Sequence, residues 1–206
     1  MKAIAIFVLT FLAALIMACW IHELGHAFGA WFQGLASIPT PLKAYVLSHD
    51  VRWEQEIWIL SGGVYGRFII SVCALVWYAL KGHGRGEAIL AGVLAGPTAY
   101  SIRFLLVGRG HDGVEWQAAQ TAVGVRPTGH LLDYAFLLVV IAGFVVWIVR
   151  RWTTLRLRSF FNLAALMLFG FVALVALQDI NNRLFDVHFR GQDSGTGGQP
   201  PDLDPR

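Results

Sequence analysis

The sequence predicts an all-α membrane protein with about five transmembrane helices. Hydrophobic residues make up 56% of the 206 residues, only 14% are charged, and the mean hydropathy is +0.58. A soluble domain needs a larger share of charged residues on its surface. The apolar residues also gather in separate long runs, so residues 1–190 are interpreted as one transmembrane domain.

Five apolar runs are interpreted, in chain order, as helices. The first, from Ala3 to about Gly34, is longer than the roughly 20 residues that cross a bilayer, so its last two turns reach the interface or line a water-filled cavity. The tail 191–206 is rich in Gly, Pro and Asp and is expected to be disordered. The other four runs extend from Ile57 to Leu80, from Ala88 to Gly108, from Leu131 to Val149 and from Phe160 to Leu177.

The net charge of +3 does not indicate a nucleic-acid partner, because the basic residues lie in loops and are not interleaved with aromatic residues on one face. The first, third and fifth runs point the same way. Their starting ends carry short, densely basic segments, which the positive-inside rule places in the cytoplasm of a multi-pass protein, with the cell membrane expected as its location. Cys19 and Cys73 lie in apolar stretches and are interpreted as small core residues.

The most informative motif is His22-Glu23-Leu24-Gly25-His26, near the end of the first run. Residues four apart lie on one face of a helix, so His22 and His26 can present both imidazoles to one metal ion, with Glu23 beside it as a general base. A catalytic zinc site keeps a position for water and lowers the pKa of that water to about 7. Polar residues inside an apolar run are costly, which favours a function over a chance match.

A third ligand is required, because two histidines do not complete a catalytic zinc site. Asp112 is the first candidate, since it follows the third run and therefore lies on the same side of the membrane as His26. His111 and Glu115 are the alternatives, with Asp179 below them. A loop or helix-capping role is the competing interpretation of Asp112.

Three features together resemble the site-2 protease (M50) family of intramembrane zinc metallopeptidases, and its M50B-like branch in particular. They are the HELGHAFGAW sequence on the first span, the small-residue element Ser61–Gly66 on the second, and an Asp-Gly after the third. The resemblance implies that His22, His26 and Asp112 bind one Zn²⁺ and that Glu23 is the catalytic acid and base. It also implies a transmembrane protein substrate, cleaved within or beside the lipid bilayer.

Two other functions remain open at this point: a catalytically silent relative that serves as a binding or scaffold partner, and a metal transporter. The intact Glu23 disfavours the first, and the concentration of polar residues in two places disfavours the second. Five small residues are expected to let helices approach closely: Gly62, Gly63, Gly66, Gly92 and Gly96. Arg67 is expected to face the protein interior or to snorkel, and the polar cluster 178–182 is expected to cap a helix or, less favoured, to bind a substrate strand.

Overall fold

A computed structural model describes residues 2–47, 51–81, 84–108, 111–126, 128–152 and 157–189. Within these ranges the side chains of residues 3, 107, 111–115, 130, 157–160 and 186–189 lie outside the description. The predicted disordered tail, 191–206, also falls outside the described residues.

Six helices and one β-hairpin occupy the described ranges. The hairpin joins β1 and β2 as an antiparallel pair, with Ser37 opposite Val46 and Pro39 opposite Ala44. The elements are, in order, α1 (Lys2–Phe32), β1 (Ser37–Pro39), β2 (Ala44–Val46), α2 (Trp53–Lys81), α3 (Arg85–Val107), α4 (His111–Ala122), α5 (Gly129–Arg151) and α6 (Leu157–Phe189).

Within the described ranges, five of these helices are long and apolar enough to cross a membrane, which confirms the prediction of about five spanning helices. They are α1, α2, α3, α5 and α6. The all-α prediction needs one correction, because the two segments expected to be loops contain the hairpin and the short helix α4. Both lie at the end of the bundle where α1 finishes.

Residues at the helix ends explain why the chain turns where it does. α3 ends at Gly108, whose φ of 76° is left-handed and whose N–H donates to the carbonyl of Phe104. α4 is followed by Gly124 at φ 73°, and Gln120 then accepts from the backbone N–H of Thr128 and donates to its hydroxyl. Glycine adopts such positive φ values without steric cost, so each stop is built into the sequence.

The core forms where α1 packs between α2 and α3. Phe11 and Leu15 on α1 are buried with Ala88, Ala91 and Ala95 of α3. A second cluster joins α1, α2, α3 and α5 around Tyr78, Leu94 and Trp147. α6 lies over α3 and α1, and most of its large side chains are exposed, as expected for a helix that faces lipid.

The half of the bundle where α1 begins contains an apolar cavity of about 950 Å³ between α1, α3, α5 and α6. Ile4, Phe7, Leu94 and Phe144 are among its lining residues. At its edge Glu87 accepts hydrogen bonds from the indole of Trp147 and from the guanidinium of Arg151. This polar cluster joins α3 to α5 at the end of the bundle where the basic residues gather.

Candidate metal centre

His22 and His26 lie four residues apart on α1 and both turn toward α2. The Nε2 atoms of the two rings are 3.0 Å apart, and the ring planes cross at 79°. His22 is 4% exposed and His26 is half-buried. The predicted convergence of the two imidazoles is therefore present in the fold.

Backbone carbonyls of α2 fix both rings. The Nδ1–H of His22 donates to the carbonyl oxygen of Gly63 at 2.8 Å, and the Nδ1–H of His26 donates to that of Ile59 at 2.8 Å. A carbonyl only accepts, so these bonds assign the proton to Nδ1 in each ring. In a neutral ring with this tautomer the Nε2 atom carries the lone pair, and the two Nε2 atoms lie 3.0 Å apart.

The register of two antiparallel helices produces this match. His22 and His26 are one turn apart on α1, and their acceptors Gly63 and Ile59 are one turn apart on α2, in the opposite direction. Sequence reasoning did not identify these two carbonyls. The one sequence signal that could have indicated this contact is the glycine at position 63, because a side chain there would occupy the space of the His26 ring.

Close approach of α1 and α2 is possible because glycines meet glycines. A methyl group at Gly25 would overlap the backbone of Gly62, and one at Gly29 would overlap the backbone at Trp58. Gly66 likewise faces the carbonyl of Ile21. The expectation of close helix approach is confirmed for Gly62 and Gly66, and also for Gly92 of α3, which meets the backbone of Phe11. It is wrong for Gly96, where a side chain would meet nothing within 4 Å. α2 remains one uninterrupted helix through its glycines.

Glu23 follows His22 on α1 and is half-buried, beside the imidazole pair along the chain. Deeper in the bundle Arg67 is buried, and its guanidinium carbon lies 4.5 Å from the ring centroid of Tyr100. The expectation that Arg67 faces the interior is therefore confirmed, and a cation–π contact is among its interactions there.

The predicted third ligand falls on α4. Among the side chains that the structure describes, no group of three His, Cys, Asp or Glu is placed to hold a metal ion. The side chains of His111, Asp112 and Glu115 lie outside that description, so their roles stay predictions. Asp179, the lowest-ranked candidate, is exposed on α6 and forms an ion pair with Arg183 at 2.9 Å.

The backbone of α4 packs beside the centre. Trp116 on α4 is buried against Val64 of α2, the residue that follows Gly63, and its ring centroid lies 6.1 Å from that of Tyr65. Position 112 is one turn before Trp116 on the same helix. α4 therefore packs on α2 at the residues that follow Gly63, and whether the Asp112 carboxylate reaches the histidines stays a prediction.

Several polar side chains are buried on four of the spanning helices. Ser61 and Arg67 of α2, Ser101 of α3 and Asp133 of α5 are all buried, as is Asn181 of α6. The hydroxyl of Ser101 and the amide nitrogen of Asn181 have no hydrogen-bond partner among the described residues.

No protein-family model, curated protein or solved structure matches this chain.

Proposed function

We propose that this chain is an integral membrane zinc metallopeptidase of the site-2 protease type that hydrolyses peptide bonds in membrane-embedded or membrane-adjacent protein segments. In this proposal His22, His26 and Asp112 hold one Zn²⁺, and Glu23 is the catalytic acid and base. The observation that carries it is the pair of Nε2 atoms at 3.0 Å, each in a ring whose other nitrogen donates to a carbonyl.

That geometry supports a cation between the two rings. The two Nε2 atoms lie 3.0 Å apart, and a cation bound between them would be attracted by the lone pair that each neutral ring has at this atom. Zinc–nitrogen bonds of 2.0–2.1 Å at tetrahedral angles place two ligand nitrogens about 3.3 Å apart, close to the separation here. Metal-binding histidines also regularly donate their second N–H to a carbonyl, as both rings do.

A shared proton is the competing cation for that position. It would make one ring an imidazolium and would need no third ligand. The chain favours zinc because a carboxylate, Glu23, is placed next to the pair, and because α4 carries three further donor residues at its start, His111, Asp112 and Glu115. Metal analysis distinguishes the two.

Each residue of the proposed site has a separate chemical role. When bound, zinc supplies Lewis acidity to the scissile carbonyl and its attacking water. Glu23 takes a proton from the water as it attacks and passes it to the amine that leaves. The carbonyls of Gly63 and Ile59 keep the imidazoles oriented throughout.

A substrate that crosses the membrane must be locally unwound before hydrolysis, because the peptide bonds of a helix are hydrogen-bonded and shielded. The imidazole pair lies on the first of five long apolar helices, and this setting supports a membrane-embedded substrate. The proposal therefore names the transmembrane part of another protein as the substrate, with the lipid bilayer as its surroundings.

The deciding experiment measures zinc content and cleavage together. Proteoliposomes would contain the protein and a panel of reporter transmembrane segments that carry a central helix-breaking Gly-Pro pair. The wild type should bind about one zinc per chain and cleave a reporter, while Glu23→Gln should keep the zinc and lose cleavage. His22→Ala, His26→Ala and Asp112→Ala should lose zinc, and His111→Ala and Glu115→Ala serve as matched controls for the third ligand.

Each outcome has a defined meaning. Zinc with no cleavage of any reporter by the wild type contradicts the peptidase and supports a binding protein that retains the metal. Cleavage that persists at the wild-type rate in Glu23→Gln contradicts the assigned mechanism. Loss of zinc from Glu115→Ala or His111→Ala, but not from Asp112→Ala, moves the third ligand to that residue.

A further inference from the structure

The apolar cavity of about 950 Å³ lies apart from the proposed metal centre. Its lining residues on α1 are Ile4 and Phe7, and Phe7 is fifteen residues, or about 22 Å of helix, before His22. The volume falls within the range of roughly 300–1,000 Å³ that is typical of ligand pockets. The cavity is therefore large enough to hold a ligand of its own.

One face of α3 and one face of α5 form two walls of this cavity. Counted from the end of the bundle where the basic residues gather, the lining residues of α3 are Glu87, Leu90, Ala91, Leu94 and Thr98. Counted from the same end, those of α5 are Arg151, Trp147, Phe144, Gly143 and Val140. Both sets follow the spacing of a single helix face, on helices that run in opposite directions.

The cavity is about half as deep as the hydrocarbon core of a bilayer. Glu87 to Thr98 and Arg151 to Val140 each span eleven residues, which is about 16 Å of helix. The hydrocarbon core is about 30 Å thick, and a helix that crosses it needs about 20 residues. The depth of the cavity therefore favours the chains of a lipid from one leaflet over a transmembrane helix.

Polar side chains gather at one end of the cavity, its mouth, where Glu87 and Arg151 form an ion pair. A methyl group on Gly170 of α6 would lie 3.5 Å from the Cβ of Ala95 on α3, so these two positions are level. Asn162 and Glu87 are each eight residues before them, on helices that begin at the same end, and both line the cavity. A polar mouth and an apolar interior match an amphiphilic ligand.

The mouth lies where the helix ends carry positive charge. Lys81 ends α2, Arg85 begins α3, and Arg150 and Arg151 end α5, beside the carboxylate of Glu87. Basic residues at the ends of membrane helices attract the headgroups of anionic lipids. This charge favours an anionic lipid over a zwitterionic one.

We propose that this cavity binds the acyl chains of an anionic phospholipid, whose headgroup lies at Arg151 and Asn162. A guanidinium has five N–H donors, so Arg151 can bind a phosphate while it stays bonded to Glu87. The carboxamide of Asn162 can donate to an ester carbonyl of the same lipid. Trp147 lies at the mouth as well, in keeping with the preference of tryptophan for the level of the headgroups.

The test measures lipid retention by native mass spectrometry, after incubation in detergent with phosphatidylglycerol and phosphatidylcholine of identical chains. The wild type should retain one phosphatidylglycerol, preferred about tenfold at low salt and less in 1 M salt. Val140→Trp fills the apolar end of the cavity and should lower retention about tenfold. Val145→Trp is the matched control on α5, because Val145 is 50% exposed on another face and should leave retention unchanged.

Thermal midpoints in detergent alone verify that both variants fold, and Val140→Phe with Val145→Phe replaces the pair if Val140→Trp does not. Equal retention of the two lipids by the wild type overturns the anionic headgroup, and undiminished retention in Val140→Trp overturns the cavity as the site. Displacement of the lipid by an equal concentration of a single-span reporter peptide assigns the cavity to a transmembrane helix instead. His22→Ala should bind phosphatidylglycerol as the wild type does, so these outcomes are independent of the proposed metal centre.

Discussion

Gly25 on α1 and Gly62 on α2 touch backbone to backbone. A methyl group on Gly25 would overlap the carbonyl oxygen of Gly62, and a methyl group on Gly62 would overlap that of Gly25. Both glycines are next to the residues that form the centre, His26 on one helix and Gly63 on the other. The hydrogen bonds of the imidazoles and the contact of the two helices therefore depend on the same absence of side chains.

Replacing Gly62 with alanine should destabilise the protein by about 1–3 kcal/mol, because the new methyl group can only be accommodated by moving α1 away from α2. Thermal unfolding in detergent measures the effect. Gly96→Ala on α3 is the matched control, since a side chain there meets nothing within 4 Å and alanine favours the helix by up to about 1 kcal/mol. Equal midpoints for the two variants would contradict the assigned packing.

Replacing Gly63 with alanine should weaken zinc binding about 10- to 100-fold, because the methyl group would occupy the space of the His26 ring and disturb its second hydrogen bond. Competition with a chromophoric chelator measures the dissociation constant. Gly96→Ala should bind zinc as the wild type does. An unchanged dissociation constant in Gly63→Ala would show that the His26 ring can move without loss of zinc affinity.

Removing zinc should lower the thermal midpoint of the wild type. A ligand present at 100 times its dissociation constant stabilises the folded state by about 2.7 kcal/mol, and chelation withdraws that contribution. The double variant His22→Ala and His26→Ala should show no such shift. The proposed metal centre is wrong if the chelator shifts both proteins equally.

Replacing Arg151 with methionine should cost about 1.5–3 kcal/mol of stability, the range for hydrogen bonds to charged groups. Arg151 and Trp147 both donate to Glu87, and the side chain of Glu87 is only 12% exposed. Arg183→Met is the matched control, because the Asp179–Arg183 pair is exposed and should contribute less than about 1 kcal/mol. Urea or thermal unfolding in micelles compares the two, and equal losses would argue against a role for burial.

The sequence was sufficient for the spanning helices, because each consists of a long apolar run. It failed where polar residues continue a helix: α6 extends past Leu177 to Phe189, with Asp179 and Arg183 paired one turn apart. The hairpin was missed because strands of three residues carry too few positions for a pattern. α4 was missed because a polar segment resembles a loop.

The sequence likewise predicts only part of the candidate centre. The spacing of His22 and His26 predicts that their rings share a face, since that depends on one helix alone. The acceptors at Gly63 and Ile59 depend on how two helices align, which local patterns do not specify. The capping interpretation of residues 178–182 was wrong, because α6 continues to Phe189, and the burial of Asn181 depends on how α6 packs in the bundle.

In the proposed metal centre, the two carbonyls that orient the imidazoles would make metal loading a report on assembly. If α2 were inserted one residue out of step with α1, both rings would lose their acceptors together, and the glycine contacts would be replaced by clashes. Such a misaligned chain would bind no ion, so correct alignment of the first two helices would be a condition of the proposed activity.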